Sequence, residues 1–569
     1  MEIQVRPVDR QVMADLMNEG MSRAMARVYA GRGIKSIADL EYLVQRLEHI
    51  PMKDQDKAVS LLLKALENQS RICISGDYDC DGATATAVMV RGLRSLGFNN
   101  VDFLVPNRFR DGYGLTPPIV EQVLQRGADL LITVDNGISS IAGVAAAKAA
   151  GLKVIVTDHH LAGEVLPEAD AILDPNQPGC AFPWKSTAGV GVAFMLILAL
   201  FWELESRELG EFPNPKKLTP LVALGTVADV VPLEYNNRLL VDVGLRRWRK
   251  GWAPEGLLAL ARVSRVNIEN LQASSIGFQI GPRLNAAGRM DDMTIGIRCL
   301  LEDDPEKALE LAKELDQFNR ERRVVEKEQC SEALIALPED PTGQFGLTAV
   351  IPDGHIGVIG IVAGRLKEEF HRPVIVFAQD GDWLKGSGRS IPGFHLRDAL
   401  ADLAKDHPDW FKAFGGHAMA AGMTLRAEVI ADFSREFDQL AETRIPTEVL
   451  EKSLVVDGIL SPAELSTALA EEIRSIGIWG QEFPEPMFMG SFEVASCKVM
   501  KGGHLRLELD LPNQLTVAAV WFNQAEAIPE GTWLQLVYSL DFDAFRGGAL
   551  QLRVIWGSEA PQASQELVA

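Results

Sequence analysis

The sequence predicts a multidomain α/β protein with a β-rich C-terminal end, and three observations carry that reading. Strand-like runs alternate with helical ones from Arg71 to about Val231. A charged helical stretch, Asp303–Leu337, separates this region from a second α/β unit that opens with "LTAVIPDG". After about Leu450 the pattern turns to alternating strand runs divided by turn signals. At 569 residues the chain exceeds one domain, and 47% hydrophobic with 24% charged residues suits globular structure rather than disorder.

The first fifty or so residues read as short amphipathic helices. RICIS, VDFLV, LLITVD, KVIVTD and AILD follow as strands, with PIVEQVLQRG and SSIAGVAAAKAAG as helices between them. That alternation predicts a mostly parallel sheet covered by helices, whose sites gather at the carboxyl ends of the strands. GVGVAFMLILALFW (Gly189–Trp202) is the most apolar run, and its length fits a buried core helix better than a membrane span. Asp303–Leu337 has apolar residues at three- and four-residue spacing and reads as one long helix bridging two lobes. LPEDPTGQFG follows as a linker. The second unit holds RPVIVF and two glycine-rich stretches, KGSGRS (Lys385–Ser390) and FGGHAMAAG (Phe414–Gly422). GSFEVASCKVM, HLRLELDL, LTVAAVWF, TWLQLVYSLDFDAF and ALQLRVIW then suggest a small β-barrel or sandwich. Trp521, Phe522, Phe542 and Phe545 sit on or beside these strands.

A net charge of −22 argues against an indiscriminate nucleic-acid binder but leaves room for a local basic groove. Three basic stretches could line one: NRFR (Asn107–Arg110), LRRWRKGW (Leu245–Trp252) and NRERR (Asn319–Arg323), each of which could equally be a solvated face. Six scattered cysteines form neither a disulfide framework nor a CxxC zinc knuckle, which points to a reducing cytoplasm. MEIQVRPVDR lacks the basic region and apolar core of a secretory signal, and no uninterrupted apolar stretch is long enough to span a bilayer, so no membrane partner is expected.

The chemistry concentrates in SGDYDCDGATATA (Ser75–Ala87), where Asp77, Asp79 and Asp81 follow a strand on alternate residues before a turn at Gly82. Three carboxylates packed at a strand end are costly unless a divalent cation neutralises them. An acidic loop that merely caps a helix is the plainer alternative. An EF-hand is ruled out, because no Glu closes the loop at its twelfth position. Further acids end other strands: Asp135 in VDNG, Asp158 with His159 and His160 in TDHH, and Asp174 in LDPN. Asp229 in GTVADVVPL completes the set. Hard carboxylates with one or two imidazoles suit Mn²⁺ or Mg²⁺, and this many oxygens fit two ions bridged by a shared carboxylate.

DYDCDG, VDNG, TDHH and GTVADVVPL, in that order, resemble the motifs of the DHH phosphoesterase superfamily. GPRLNAAGRM (Gly281–Met290), GSGRS and GGHAMAAG further resemble its bacterial branch of single-strand-specific 5′→3′ DNA exonucleases. The resemblance implies an N-terminal helical segment (1–45), a DHH catalytic domain (46–302), a connecting helix (303–337), a DHH-associated domain (338–449), an oligonucleotide-binding (OB) fold (450–557) and a tail (558–569). It implies two divalent cations, Mn²⁺ or Mg²⁺. Asp79 and Asp135 would hold one, with Asp77 an optional third ligand because relatives often carry His there. Asp81, Asp135, His159 and Asp229 would hold the other, with Asp135 bridging. Asp158 would orient His159, and His160 would face the scissile phosphate. Arg283, Asn285 and Arg289 would face phosphates, and Ser387, Gly388, Arg389, Ser390, Gly415, Gly416 and His417 would cradle the substrate backbone. Arg108, Arg110 and Tyr113 would stand at the mouth. The implied partners are single-stranded DNA, single-strand-binding protein and a RecQ-type helicase, with a role in DNA repair and recombination. An oligonucleotide or cyclic-dinucleotide phosphodiesterase and a non-catalytic DNA-binding replication scaffold are the alternatives.

Overall fold

Among the described residues the strands form four separate sheets. In the computed structural model, which describes residues 2–43, 50–476, 478–511, 515–543 and 547–560, the first strand is β1, Glu2–Val5. Next come β2 (Ile72–Ser75), β3 (Val101–Leu104), β4 (Leu130–Val134), β5 (Lys153–Thr157) and β6 (Ala171–Leu173). A second set is β7 (Leu347–Ile351), β8 (Val374–Asp380), β9 (Trp383–Arg389), β10 (Phe411–Gly416) and β11 (Ala420–Arg426). The last are β12 (Ser453–Val456), β13 (Phe488–Met500), β14 (His504–Asp510), β15 (Thr516–Trp521), β16 (Trp533–Asp543) and β17 (Ala549–Glu559). Phe545 and the tail from Pro561, both part of the sequence reading, lie outside the described residues.

The chain divides into two units, of which the larger comprises Val44–Val231 and Leu239–Lys452. Its first sheet has the order β3-β2-β4-β5-β6, and every neighbouring pair is parallel. β2 and β4 are buried along their whole length, which explains their unbroken apolar runs. The chain leaves β2 toward β3 on one side and returns through β4 on the other. This reversal opens a crevice at the carboxyl ends of β2 and β4, the usual ligand position in such sheets. The apolar run forms a helix, Gly189–Ser206, long and apolar enough to cross a membrane by composition alone. Here it is 78% buried inside the protein, so its apolarity serves packing. The charged stretch forms a single helix, Pro305–Ala336, whose N-cap Asp304 accepts from the Glu306 and Lys307 N–H groups at 3.0 and 3.1 Å. In the second sheet, β10-β11-β9-β8-β7, only β7 and β8 are parallel. That sheet buries Phe377, Phe394, Phe433 and Phe437 beneath it.

The smaller unit comprises Met1–Leu43, Pro232–Arg238 and Ser453–Ala569. β13 to β17 close into a barrel of order β13-β14-β15-β17-β16, which settles the choice between barrel and sandwich. The N-terminal residues differ from their purely helical reading, because β1 pairs in parallel with β12, Glu2 opposite Ser453. Four residues are too few for alternation to register, and the partner strand lies far along the chain. Asp457, just past β12, receives Arg32 at 2.6 and 2.9 Å and Arg6 at 3.3 Å. The Arg32 and Asp457 side chains are only 1% and 2% exposed. Asp457→Ala strands the buried Arg32 charge and is expected to cost about 3–5 kcal/mol. Urea unfolding followed by tryptophan fluorescence measures that loss, and an unchanged midpoint would rule out a structural role for the pair.

Candidate active site

The site forms where the loops after β2, β4 and β5 meet the helix Thr219–Ala228 in the larger unit. Asp79 caps the helix Cys80–Ser95 by accepting the Gly82 N–H at 3.0 Å, and it also belongs to one group of potential ligand atoms. Asp81, 1% exposed, accepts the Gly189 and Val190 N–H groups at 2.7 and 2.9 Å, which ties it to the start of the apolar helix. Asp135 sits in the left-handed region at φ 59°, which Asp adopts more readily than most non-glycine residues. A Cβ on Gly189 would lie 2.5 Å from Asp135 Oδ1, so only glycine lets the helix come this close. Asp229 occupies the C-cap of its helix, where the helix dipole disfavours a carboxylate.

Three groups of potential ligand atoms each lie within 4.8 Å: Asp77, Asp79 and Asp135; Asp81, His159 and Asp229; and Asp135, His159 and His160. His159 Nε2 is 3.1 Å from Asp135 Oδ1, 3.6 Å from Asp229 and 4.0 Å from Asp81. Burial, then repulsion from Asp79, pushes Asp77 up to about 8 and Asp229 up to about 7. Burial also drives Asp81 and Asp135 well above the carboxylate range, with Asp229 and Asp81, respectively, as the next causes. Burial and the neighbouring His160 lower His159 to about 3, which leaves it a neutral imidazole with a free lone pair. Both His159 Nε2 and Asp135 Oδ1 are buried without a hydrogen-bond partner. Buried anions in mutual repulsion around an unpartnered imidazole nitrogen fit hard divalent cations.

Asp158 holds both histidines. Its Oδ1 pairs with the ring of His160 at 2.7 Å and accepts the His159 main-chain N–H at 2.7 Å, while Oδ2 takes the Ile138 N–H at 2.9 Å. It thus orients His159 through the backbone, and the ring it holds is that of His160. Burial opposes protonation of His160, but the hydrogen bond and charge of Asp158 outweigh it and hold His160 up to about 9. The opposite face of this imidazole looks to the second lobe, where His417 lies parallel at 6.1 Å between ring centroids. Tyr113, 47% exposed, places its hydroxyl 3.4 Å from His160 Nε2.

The phosphate-facing candidates divide. Arg108 lies 4.0 Å over the Tyr78 ring and donates to Gly288 O at 3.0 Å. Arg289 donates to Gly357 O at 3.2 Å, and burial followed by repulsion from Arg108 and Arg389 lowers it to about 9. Arg389 leans on Ser387 Oγ at 3.3 Å and Gly388 O at 2.8 Å. These three guanidiniums crowd one place. Arg110, Gly415, Gly416 and His417 are exposed. Arg283 is not brought to the site, since its Nε pairs with Asp316 at 2.8 Å. Asn285 accepts the Cys80 N–H at 2.8 Å through Oδ1 and so clamps the Asp77–Asp81 loop, a bond that does not use its Nδ2 donor. Gly288 on the same helix packs against that loop, where a Cβ would meet Tyr78 O at 1.9 Å. Ser390 is buried and donates to Phe394 O at 2.7 Å in the turn after β9, while Gly388 lies within β9 under Leu396.

Asn176 was not anticipated. Its Nδ2 donates to His159 O at 2.6 Å and Lys185 O at 3.2 Å, and its own N–H is held by the buried Asp174 at 2.6 Å. The LDPN stretch contained the signal, but only its acid stood out. Outer partners that fix a ligating residue typically contribute 10–100-fold to metal affinity. Asn176→Ala is therefore expected to weaken Mn²⁺ binding about tenfold. Electron paramagnetic resonance titration measures it, and an unaltered isotherm would show that His159 needs no such support.

Residues 71–226 match the DHH family N-terminal domain, 343–443 the DHHA1 domain and 456–555 the RecJ OB domain. Sheet, acid clusters and glycine-rich second lobe together define a DHH-type phosphoesterase. The chain is 46% identical over 556 residues to "Single-stranded-DNA-specific exonuclease RecJ" of Salmonella typhimurium, covering 94% of this chain and 95% of that one. The crystal structure of RecJ from Thermus thermophilus in complex with Mn²⁺ superposes with a TM-score of 0.84 at 30% identity, covering 98% of this chain and 79% of that one. The Mg²⁺ complex from the same organism gives 0.78 at 28% identity, with 99% and 78% coverage. The chain belongs to the RecJ family.

Proposed function

We propose that the protein is a single-strand-specific 5′→3′ DNA exonuclease that releases 5′-mononucleotides by hydrolysis assisted by two divalent cations. The observation that supports this most directly is the joint grouping of two acid clusters, Asp77–Asp79–Asp135 and Asp81–His159–Asp229, with the Arg108, Arg289 and Arg389 guanidiniums nearby. Asp77, Asp79 and Asp135 would hold one ion; Asp81, His159, Asp229 and the shared Asp135 would hold the other. Mn²⁺ or Mg²⁺ bound there would supply Lewis-acid polarisation of the phosphate and activation of water.

The remaining work belongs to side chains. Neutral His159 offers a lone pair where a protonated ring would be repelled by cations. The hydrogen bond to Asp158 favours the protonated form of the adjacent His160, which would donate to the 3′-oxygen that leaves. The three arginines would hold phosphate oxygens by paired N–H donors. Tyr113 offers a ring for a base, and Arg110 a cation for the 5′-phosphate at the mouth. His417 facing His160 across the cleft favours one flexible strand over a duplex. The barrel adds an OB surface of the kind that binds single strands, which small-substrate phosphodiesterases do not need, and the full ligand set argues against a non-catalytic scaffold. A place in repair and recombination, in the cytoplasm, beside single-strand-binding protein and a RecQ-type helicase is part of the same proposal. The test is Mn²⁺-dependent release of mononucleotides from 5′-labelled single strands, compared with 3′-labelled strands and blunt duplex. Early release of the 3′ label, or equal attack on duplex, would overturn it.

A further inference from the structure

The LRRWRKGW stretch is untouched by the chemistry above. Its Arg247 and Trp252 line a cavity of about 450 Å³, together with Arg91 and the Pro213–Leu218 turn. Three cations and no carboxylate line this cavity, in a chain of net charge −22. Arg91 is already committed, donating to Leu300 O at 2.9 Å and to Asp303 at 2.8 Å. Arg247 and Lys217 are not: among the described residues neither side chain has a hydrogen-bond or ion-pair partner, and Arg247 Nε is buried. Trp252 is 56% exposed, with the Arg247 guanidinium 5.5 Å and the Lys250 ammonium 5.0 Å from its ring. Pro213, Pro254 and Leu218 supply a stiff apolar wall. The helix Glu255–Val263, which has no side-chain cap, begins at Pro254 and adds its positive end.

An uncommitted guanidinium and ammonium beside an exposed indole match a ligand with an anionic group and a flat ring. The volume lies within the roughly 300–1,000 Å³ of small-molecule sites. We propose that this cavity is a second nucleotide site, which takes one nucleoside 5′-phosphate, either free or as a unit of a single strand. Arg247 and Lys217 hold the phosphate, and the base lies against Trp252 and the proline wall. The choice of a nucleotide rests on the proposed function, but binding is tested without turnover, so its failure leaves the exonuclease reading intact.

The full-length protein in EDTA is irradiated with 5-iodo-dUMP, or with a thymidine oligonucleotide carrying one 5-iodo-deoxyuridine, and adducts are mapped by mass spectrometry. An adduct on the segment containing Trp252 is expected. Trp252→Ala and Lys217→Glu, both at exposed positions, should each lower its apparent affinity about tenfold. Cleavage of three-nucleotide substrates by these variants should match that of the parent. Labelling by the free nucleotide assigns a product-holding site, and labelling by the oligonucleotide alone assigns a strand-tracking site. No adduct on that segment with either probe would overturn the proposal. So would capture of an acidic peptide there without any nucleotide adduct.

Discussion

Asp135→Ala is expected to reduce turnover by about 10³-fold or more, equivalent to at least ~4 kcal/mol of transition-state stabilisation. Asp135 belongs to two of the three ligand groups, and its Oδ1 lies 3.1 Å from His159 Nε2. Removing it leaves Asp77 and Asp79 as a pair and takes a shared oxygen from the other cluster. His159 also belongs to two groups, but it is absent from the Asp77–Asp79–Asp135 group, so its loss is expected to leave that ion in place. The fold should survive, because the substitution deletes a buried anion whose own burial and neighbour Asp81 already oppose ionisation. The backbone at φ 59° remains a constraint, which Asn tolerates better than Ala. Asp135→Asn is therefore the gentler control, matched in shape and lacking the charge. Mn²⁺ stoichiometry by calorimetry should fall below two per chain in both variants, with thermal unfolding within a few degrees of the parent. Turnover near the parental rate at saturating Mn²⁺ would eliminate the bridging role.

The acids of DYDCDG, VDNG and TDHH were legible because each of these motifs follows a buried strand, and strand ends on one edge of a parallel sheet are forced together, whereas Asp229 ends a helix. The order β3-β2-β4 does the rest, since it sets the Asp77–Asp81 loop beside the Asp135 turn. Partners drawn from remote chain positions left no such trace. Nothing near Asp81 announces that Gly189 and Val190 will hold it, and nothing near Arg283 announces Asp316. Helical geometry also sorts residues that the sequence presents as one motif. GPRLNAAGRM forms the helix Gly281–Met290, so Asn285 and Arg289 share a face while Arg283 sits roughly 200° from Asn285. Two of the three accordingly approach the site, one clamping a loop and one joining the arginine group. Ser390 illustrates the same limit in a turn, where its hydroxyl is consumed by Phe394 O. TDHH likewise leaves open which imidazole Asp158 holds, and in the fold it takes the ring of His160 and the main-chain N–H of His159.

The pairing of Asp158 with the His160 ring underlies the second large effect. His160→Ala is expected to lower kcat by about 10²–10⁴-fold, the usual contribution of a positioned general acid, while Mn²⁺ binding stays near that of the parent. His159 and His160 are adjacent, yet their surroundings drive them apart: His159 down to about 3 and His160 up to about 9. A ring without a proton suits ligation, and a ring with one suits donation. His160 nevertheless lies within one ligand group, with Asp135 and His159, so ligation is the competing role. Paired variants separate the two. His159→Ala should lose Mn²⁺ affinity along with turnover, whereas His160→Ala should lose turnover alone. A substrate whose leaving 3′-oxygen is replaced by sulfur provides a sharper test, because a thiolate leaves without needing a proton. The deficit of His160→Ala should shrink to within about tenfold of the parent on that substrate, while the deficit of His159→Ala should persist. If His160→Ala instead loses Mn²⁺ as completely as His159→Ala, and sulfur substitution restores nothing, His160 is a ligand and the leaving oxygen takes its proton from elsewhere.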